Sequence, residues 1–314
     1  MRLAGVIASF LLLSLTGAHG AAAGEWNDGV PMNNARAFSS AAVRGEDIYV
    51  AGGAGITAPQ NSVEIYDMLG DIWRSGPALP EGVQQGAMAS LGGLIYLSGG
   101  YLKESKGADN ASLWVLDPSL GFWVSGPDMP TPRAWHGMAA LGGKLYVVGG
   151  EGGSAASVLV YDPGAEEWSA LSAPMPQPRS GLALVAHKGK LYAIGGRLSN
   201  GEITGRVDIF DVETGSWREG PALPAPRAGH AAAVFGENIH VVGGEQASPP
   251  QTHATHYVLD VTGKNWREEA PLPTPRHGLT LVPGRGGVVA IGGASGPGFY
   301  TVFTETDSVN RYRP

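Results

Sequence analysis

Apolar and polar positions alternate in short bursts along almost the whole chain, and the bursts come in a fixed order. One kind is small and apolar, as in Ser39-Ser40-Ala41-Ala42-Val43 or Ala231-Ala232-Ala233-Val234. A second alternates and is stopped by a glycine pair, as in Lys144-Leu145-Tyr146-Val147-Val148 before Gly149-Gly150. A third, such as Val63-Glu64-Ile65-Tyr66, runs into an aspartate, and a fourth opens at a tryptophan. Period-two patterning between Gly, Pro and Asp clusters predicts β-strands, four to a unit.

The unit repeats. A Gly-Gly pair follows an apolar run at Gly52, Gly99, Gly149, Gly195, Gly243 and Gly292, every 46 to 50 residues. Trp26, Trp73, Trp123, Trp168, Trp217 and Trp266 keep the same beat. Asp67, Asp117, Asp162, Asp211 and Asp260 each stand six residues before a tryptophan. An arginine stands sixteen residues before the first glycine in five units, at Arg36, Arg133, Arg179, Arg227 and Arg276; Val83 takes that place in the second. One four-stranded sheet cannot cover both its faces. Radial stacking buries the sheets against each other, with the small first strands around the axis and the tryptophans between sheets.

The ends fit a closed ring. Trp26 belongs to a fourth strand with no first three before it, and Ser308 to Tyr312 reads as a third strand with no fourth after it. The last unit is therefore expected to be completed by the N-terminus, removing an open edge. The reading is an all-β, six-bladed propeller over residues 24–314, with four antiparallel strands per blade.

The Gly-Gly, Tyr-Asp and spaced Trp of a unit near fifty residues resemble the kelch repeat. The resemblance runs from Gly24 to Pro314. It implies a propeller and is nearly silent on function, because the fold hosts enzymes, scaffolds and receptors alike.

Composition adds the setting. Residues 1–23 begin Met1-Arg2, continue through an apolar run centred on Leu11-Leu12-Leu13 and end in small residues, which predicts a secretory signal peptide. Its removal leaves 20 basic and 28 acidic residues. An acidic, sparsely charged chain argues against nucleic acid and anionic membranes as partners. With no cysteine the fold has no disulfide to lean on. The expected product is a monomer, periplasmic or secreted, that leaves the membrane after signal cleavage.

Loop lengths locate the working face. From the second glycine to the aspartate the chain runs 14, 17, 12, 15 and 16 residues, and 20 to the corresponding Arg313 in the last unit. Variable loops on one rim of a rigid ring are a usual place for recognition. The five arginines enter from that rim and have two readings: an anion site at the channel mouth, or structural forks holding loop carbonyls or a neighbouring acid. Trp135 replaces the glycine found two after the arginine in the last three units, as a stacking platform for a ligand or as a gap filler. Glu151, Arg197 and Glu245 follow the glycine pairs of three successive units, to pair with one another or to flank a ligand. Phe299, Tyr300 and Phe303 lie in the last loop.

His136 and His230 match a common feature of the resemblance and read as structural. His253 and His256 alternate across an extended strand, which argues against a shared metal, and neither zinc spacing nor a phosphate-binding glycine loop is present. No cofactor is expected. The first function expected is a binding module for a protein, peptide or carbohydrate. The alternative comes from the resemblance: some exported bacterial kelch propellers of this size catalyse sialic acid mutarotation with a Glu and an Arg of a post-Gly-Gly loop. Here those are Glu202 and Arg206, with Glu151 as a further acid. A copper-radical oxidase is excluded, since its cofactor needs a tyrosine crosslinked to cysteine.

Overall fold

A computed structural model describes residues 24–314 except 56, 103–109, 153–154 and 263–264. The expected signal segment, residues 1–23, lies outside the described residues. Six antiparallel sheets, each with four strands on its main path from axis to periphery, are arranged as a six-bladed propeller. Blade 1 comprises Ser40–Arg44, Asp47–Ala51, Val63–Asp67 and Ile72–Ser75. Blades 2 to 6 repeat this order, and inner strands of adjacent blades pack around the axis.

The last blade closes as expected. Glu25–Asp28 pairs antiparallel with Val309–Arg313, from Glu25↔Arg313 to Asp28↔Asn310. Asp28 Oδ1 accepts 2.8 Å from Asn310 Nδ2, and Asn310 Oδ1 accepts 2.6 Å from the Arg276 guanidinium.

The repeated residues have distinct jobs. Each aspartate accepts backbone N–H bonds across the turn between third and fourth strands; Asp67 Oδ1, for instance, takes those of Leu69 and Gly70. Each tryptophan then reaches back to the blade before it. Trp123 Nε1 donates to Pro77 O at 2.9 Å, Trp168 to Pro127 O at 2.8 Å, and Trp26 to Ala270 O at 2.8 Å. Tyr66, Tyr161, Phe210 and Tyr312 pack at a tilt against the tryptophan of their own blade. Both glycines of every pair have positive φ, and the second donates its N–H to the next blade, as Gly100 does to Arg133 O at 2.8 Å. A side chain on the first glycine would collide with that same carbonyl, so the position is closed to other residues.

The five arginines are fully buried. Their guanidinium groups do not gather at the mouth: each turns into its own blade, and four of the five cap the bend that the glycines leave. Arg36 donates to Gly52 O at 2.8 Å and pairs with Glu64 at 2.7 Å. Arg179 donates to Gly195 O at 2.6 Å and pairs with Asp208 at 2.6 Å. Arg133 and Arg227 reach Gly149 O and Gly243 O, and Arg276 reaches Asn310. Burial lowers the guanidinium pKa of Arg133, Arg227 and Arg276 to about 10, which leaves them cationic near neutral pH. In blade 2, where Val83 replaces the arginine, Asn110 Nδ2 takes over and donates to Gly99 O at 2.8 Å.

Candidate functional site

The residue two after each arginine position sits where the chain turns into the first strand. All six, Phe38, Gln85, Trp135, Gly181, Gly229 and Gly278, have φ between 55° and 61°. Their amides form a closed circle. Phe38 N donates to Gly278 O (2.6 Å), Gly278 to Gly229 (2.7 Å), Gly229 to Gly181, Gly181 to Trp135, Trp135 to Gln85, and Gln85 to Phe38 (each 2.9 Å). The left-handed conformation costs little at glycine and more at Phe38, Gln85 and Trp135, so the ring holds three strained residues at one spot.

Two of these residues carry aromatic rings. Trp135 lies over Gly181 and Phe38 over Gly278, in the space that a Cβ would need. The rings face each other with centroids 5.5 Å apart and planes inclined by 31°. Together they lid one end of the axial channel, above a hollow of 120 Å³ bordered by Gln85, His136 and His230. Beneath runs a cavity of 430 Å³ walled by the small residues of the inner strands, Ala42, Ala89, Ala139, Ala183 and Ala232 among them.

The residues after the glycine pairs stand around this lid as a polar arc. Tyr101 Oη donates to Glu151 Oε2 at 2.7 Å, and Ser180 Oγ donates to Glu151 Oε1 at 3.1 Å. Burial, then the bond to Glu151, raises the Tyr101 phenol and keeps it a donor. Arg197 pairs with Glu245 at 3.1 Å. The other oxygen of Glu245 accepts from Gly298 N at 3.1 Å and stands 3.6 Å from His277 Nδ1. His277 Nε2 lies 3.0 Å from Gly296 O and 3.1 Å from Thr301 Oγ1, which fastens the last loop to the arc. A cleft of 500 Å³ opens between blades 3 and 4, with Glu151, Ser180 and Arg197 in its wall.

The structure thus brings Trp135, Glu151, Arg197 and Glu245 to one mouth and withdraws Arg36, Arg133, Arg179, Arg227 and Arg276 from it. It does not assemble Glu202 with Arg206. The hairpin Lys190–Leu198 and Ile203–Asp211 carries Glu202 at its exposed tip, beside Asn200. Arg206 is spent on Asp208 at 2.7 Å and Glu219 at 3.0 Å. Phe303 is exposed in the last loop, while the side chains of Phe299 and Tyr300 lie outside the description.

His136, His230, His240 and His256 are packing groups. His136 Nε2 meets Ser98 Oγ at 2.9 Å, and burial holds His136 and His230 down to about 3. His256 turns to His240, ring nitrogens 2.9 Å apart, and not to His253. Among the described residues no cluster of three metal-ligating side chains occurs. Two features escaped the sequence reading. Phe38 is the partner of Trp135, which its matching place two after Arg36 could have revealed. Glu305, bridged to Ala294 at the arc, is raised by burial to about 7 against the pull of Arg36, and no repeated position marks it.

Comparison with known proteins agrees with this geometry. The KLHDC2/KLHL20/DRC7 kelch-repeats domain matches residues 85–293, and a kelch motif matches residues 35–80. Human Kelch-like protein 34 is 34% identical over 153 residues, which are 46% of this chain and 23% of that protein. Human Kelch-like protein 33 is 34% identical over 96 residues, 31% of this chain and 18% of that protein. The chain thus spans less than a quarter of the length of either relative. The solved structure of YjhT superposes with a TM-score of 0.76, covering 91% of this chain and 99% of that one at 19% identity, a likeness of fold. With matches running from residue 35 to residue 293, the chain belongs to the kelch-repeat family.

Proposed function

We propose that the protein is an exported binding module whose variable rim takes a protein, peptide or glycan at the channel mouth. The observation that supports this is the mouth itself. Side chains from blades 2 to 6 converge on an aromatic lid, and Glu151 and Glu245 are each oriented by at least two hydrogen-bonding or charged neighbours. Preset donors and acceptors beside a flat apolar surface suit amphipathic ligands. Export rests on residues 1–23 as a signal peptide, which places the product in the periplasm or outside the cell.

The sugar-acid mutarotase alternative needs a Glu and an Arg at one substrate, and the separate engagements of Glu202 and Arg206 do not supply that. Binding is the reading favoured. Its test is the thermal midpoint of residues 24–314 against acidic and neutral sugars, phosphates and extracellular protein fractions, since a ligand of the folded state raises the midpoint. A rise that is lost in both Arg197→Ala and Glu151→Gln supports the mouth. A rise retained in both variants moves the site elsewhere.

A further inference from the structure

The six blades serve as controls for one another, and blade 2 departs from the rest at its periphery. The outermost strands are Glu25–Asp28, Ile72–Ser75, Phe122–Ser125, Glu167–Ala170, Ser216–Glu219 and Trp266–Glu269. Among the described residues no further strand lies beyond any of them. An open strand edge is a template for pairing with another chain, and charged side chains are the usual guard. Five of the six carry at least one, including Arg74, Glu167, Arg218 and Glu268. Phe122–Ser125 carries none.

Its apolar residues are also outward. Before and after the tryptophan the other blades place Glu25 and Asn27, Ile72 and Arg74, Glu167 and Ser169, Ser216 and Arg218, Asn265 and Arg267. Only blade 2 is apolar on both sides, with Phe122 53% and Val124 44% exposed, next to Leu120 at 59%. These are three of the seven large hydrophobic side chains exposed among the described residues. Trp123 faces the other way and is held by Pro77.

We propose that Phe122–Ser125 is a self-association edge, and that its occupant is the same strand of a second copy, paired antiparallel about a two-fold axis. The absence of charge favours a copy over a different partner. Two-fold pairing brings every charge on a strand close to its own duplicate, so an uncharged strand is the one edge of the six free of that repulsion. Side chains opposite each other across an antiparallel ladder share a face, and of the registers that satisfy this, the one with the axis at Trp123 sets Phe122 opposite Val124 of the second copy. That makes an aromatic–β-branched pair twice over, a favourable cross-strand combination. Three side chains per copy keep the contact below the ~1,200 Å² of standard interfaces, so the pairing is weak and reversible. The monomer expected from the sequence is then the dilute species. This edge lies on the outer wall, so the inference is independent of the ligand reading at the mouth.

Sedimentation equilibrium of residues 24–314 over a wide concentration range tests it. The expected result is a mass that climbs from monomer toward dimer. The variant F122E/V124E stays monomeric throughout, F122K/V124K does the same, and mixing the two restores the dimer. Both positions are exposed, so circular-dichroism melts of the variants should match the parent; if a double variant unfolds, Val124→Glu alone replaces it. A parent that remains monomeric at every concentration overturns the proposal. So does association that survives F122E/V124E, or a failure of the mixed variants to associate.

Discussion

Removing Gly24 to Asp28 deletes the strand that completes blade 6, and its cost can be worked out from three contributions. The first is Trp26, whose ring stands 5.3 Å from Tyr312 and 5.4 Å from His256. A fully buried tryptophan truncated to alanine costs about 3–5 kcal/mol, and the half-buried Trp26 about 2–3. The second is the ladder to Val309–Arg313. Its hydrogen bonds contribute about 1 kcal/mol each, and ordering the four residues of this edge strand costs about 1 kcal/mol apiece, so the two nearly cancel. The third is Asp28, which orients Asn310 and through it the buried Arg276; its loss adds about 1 kcal/mol. The sum is roughly 3–4 kcal/mol, or a fall of about 10 °C in midpoint at ~2–4 °C per kcal/mol. The assay is thermal unfolding by circular dichroism, comparing residues 24–314 with 29–314 and with Trp26→Ala, which should account for most of the loss. A 29–314 chain melting within about 2 °C of the parent refutes the closure energetics.

Four further outcomes follow from the same contacts. Arg36→Ala removes the counter-ion of the buried Glu64 and the donor to Gly52 O, while Asn33 and Asn34 still donate to the carboxylate, so the cost by urea unfolding should lie at the lower end for a broken buried pair, about 3 kcal/mol. Asn110→Ala leaves the Gly99 carbonyl without its side-chain donor and should cost about 1–3 kcal/mol, measured the same way. Gly181→Ala puts a Cβ against the Trp135 ring at positive φ; a loss of about 1–3 kcal/mol with a shifted tryptophan emission is expected, and unchanged emission would place the ring elsewhere. His136 and His230 are held by burial at about 3, below their ordinary 6.5. The unfolded chain therefore takes up protons that the fold refuses, so stability is full above about 6.5 and declines as pH falls toward 3; a urea midpoint that stays level from about pH 7 to pH 4 contradicts this.

Much of the fold was legible because each repeated residue does the same local job in every blade. Asp67 and its counterparts tie a turn, Trp73 and its counterparts bridge to the preceding blade, and the glycine pairs allow close backbone approach; such jobs leave a fixed spacing. The closing strand was legible for the same reason, since Trp26 lacked three strands before it. The arginines show where this logic stops. Their spacing revealed that they share a role, but only coordinates show that they point inward to the Gly52, Gly149, Gly195 and Gly243 carbonyls rather than to the mouth. Asn110 was hidden because it substitutes for an arginine from a different loop. Glu202 and Arg206 misled because four residues along an extended hairpin is a long separation, and a nearer acid, Asp208, captures the guanidinium.

The circle of six amides also bears on how the mouth can attract a ligand. Peptide dipoles lined up along a helix axis add to a charge at each end. In this ring the N–H and the C=O of each residue belong to different peptide units, so the bonds do not chain into such a rod. Each of the six N–H groups is already spent on a neighbour's carbonyl, so the collar offers an approaching anion no backbone donor. The electrostatic preference at this end therefore rests on Glu151, Arg197, Glu245 and the groups facing them, and exchanging those side chains should reset the preference without disturbing the collar.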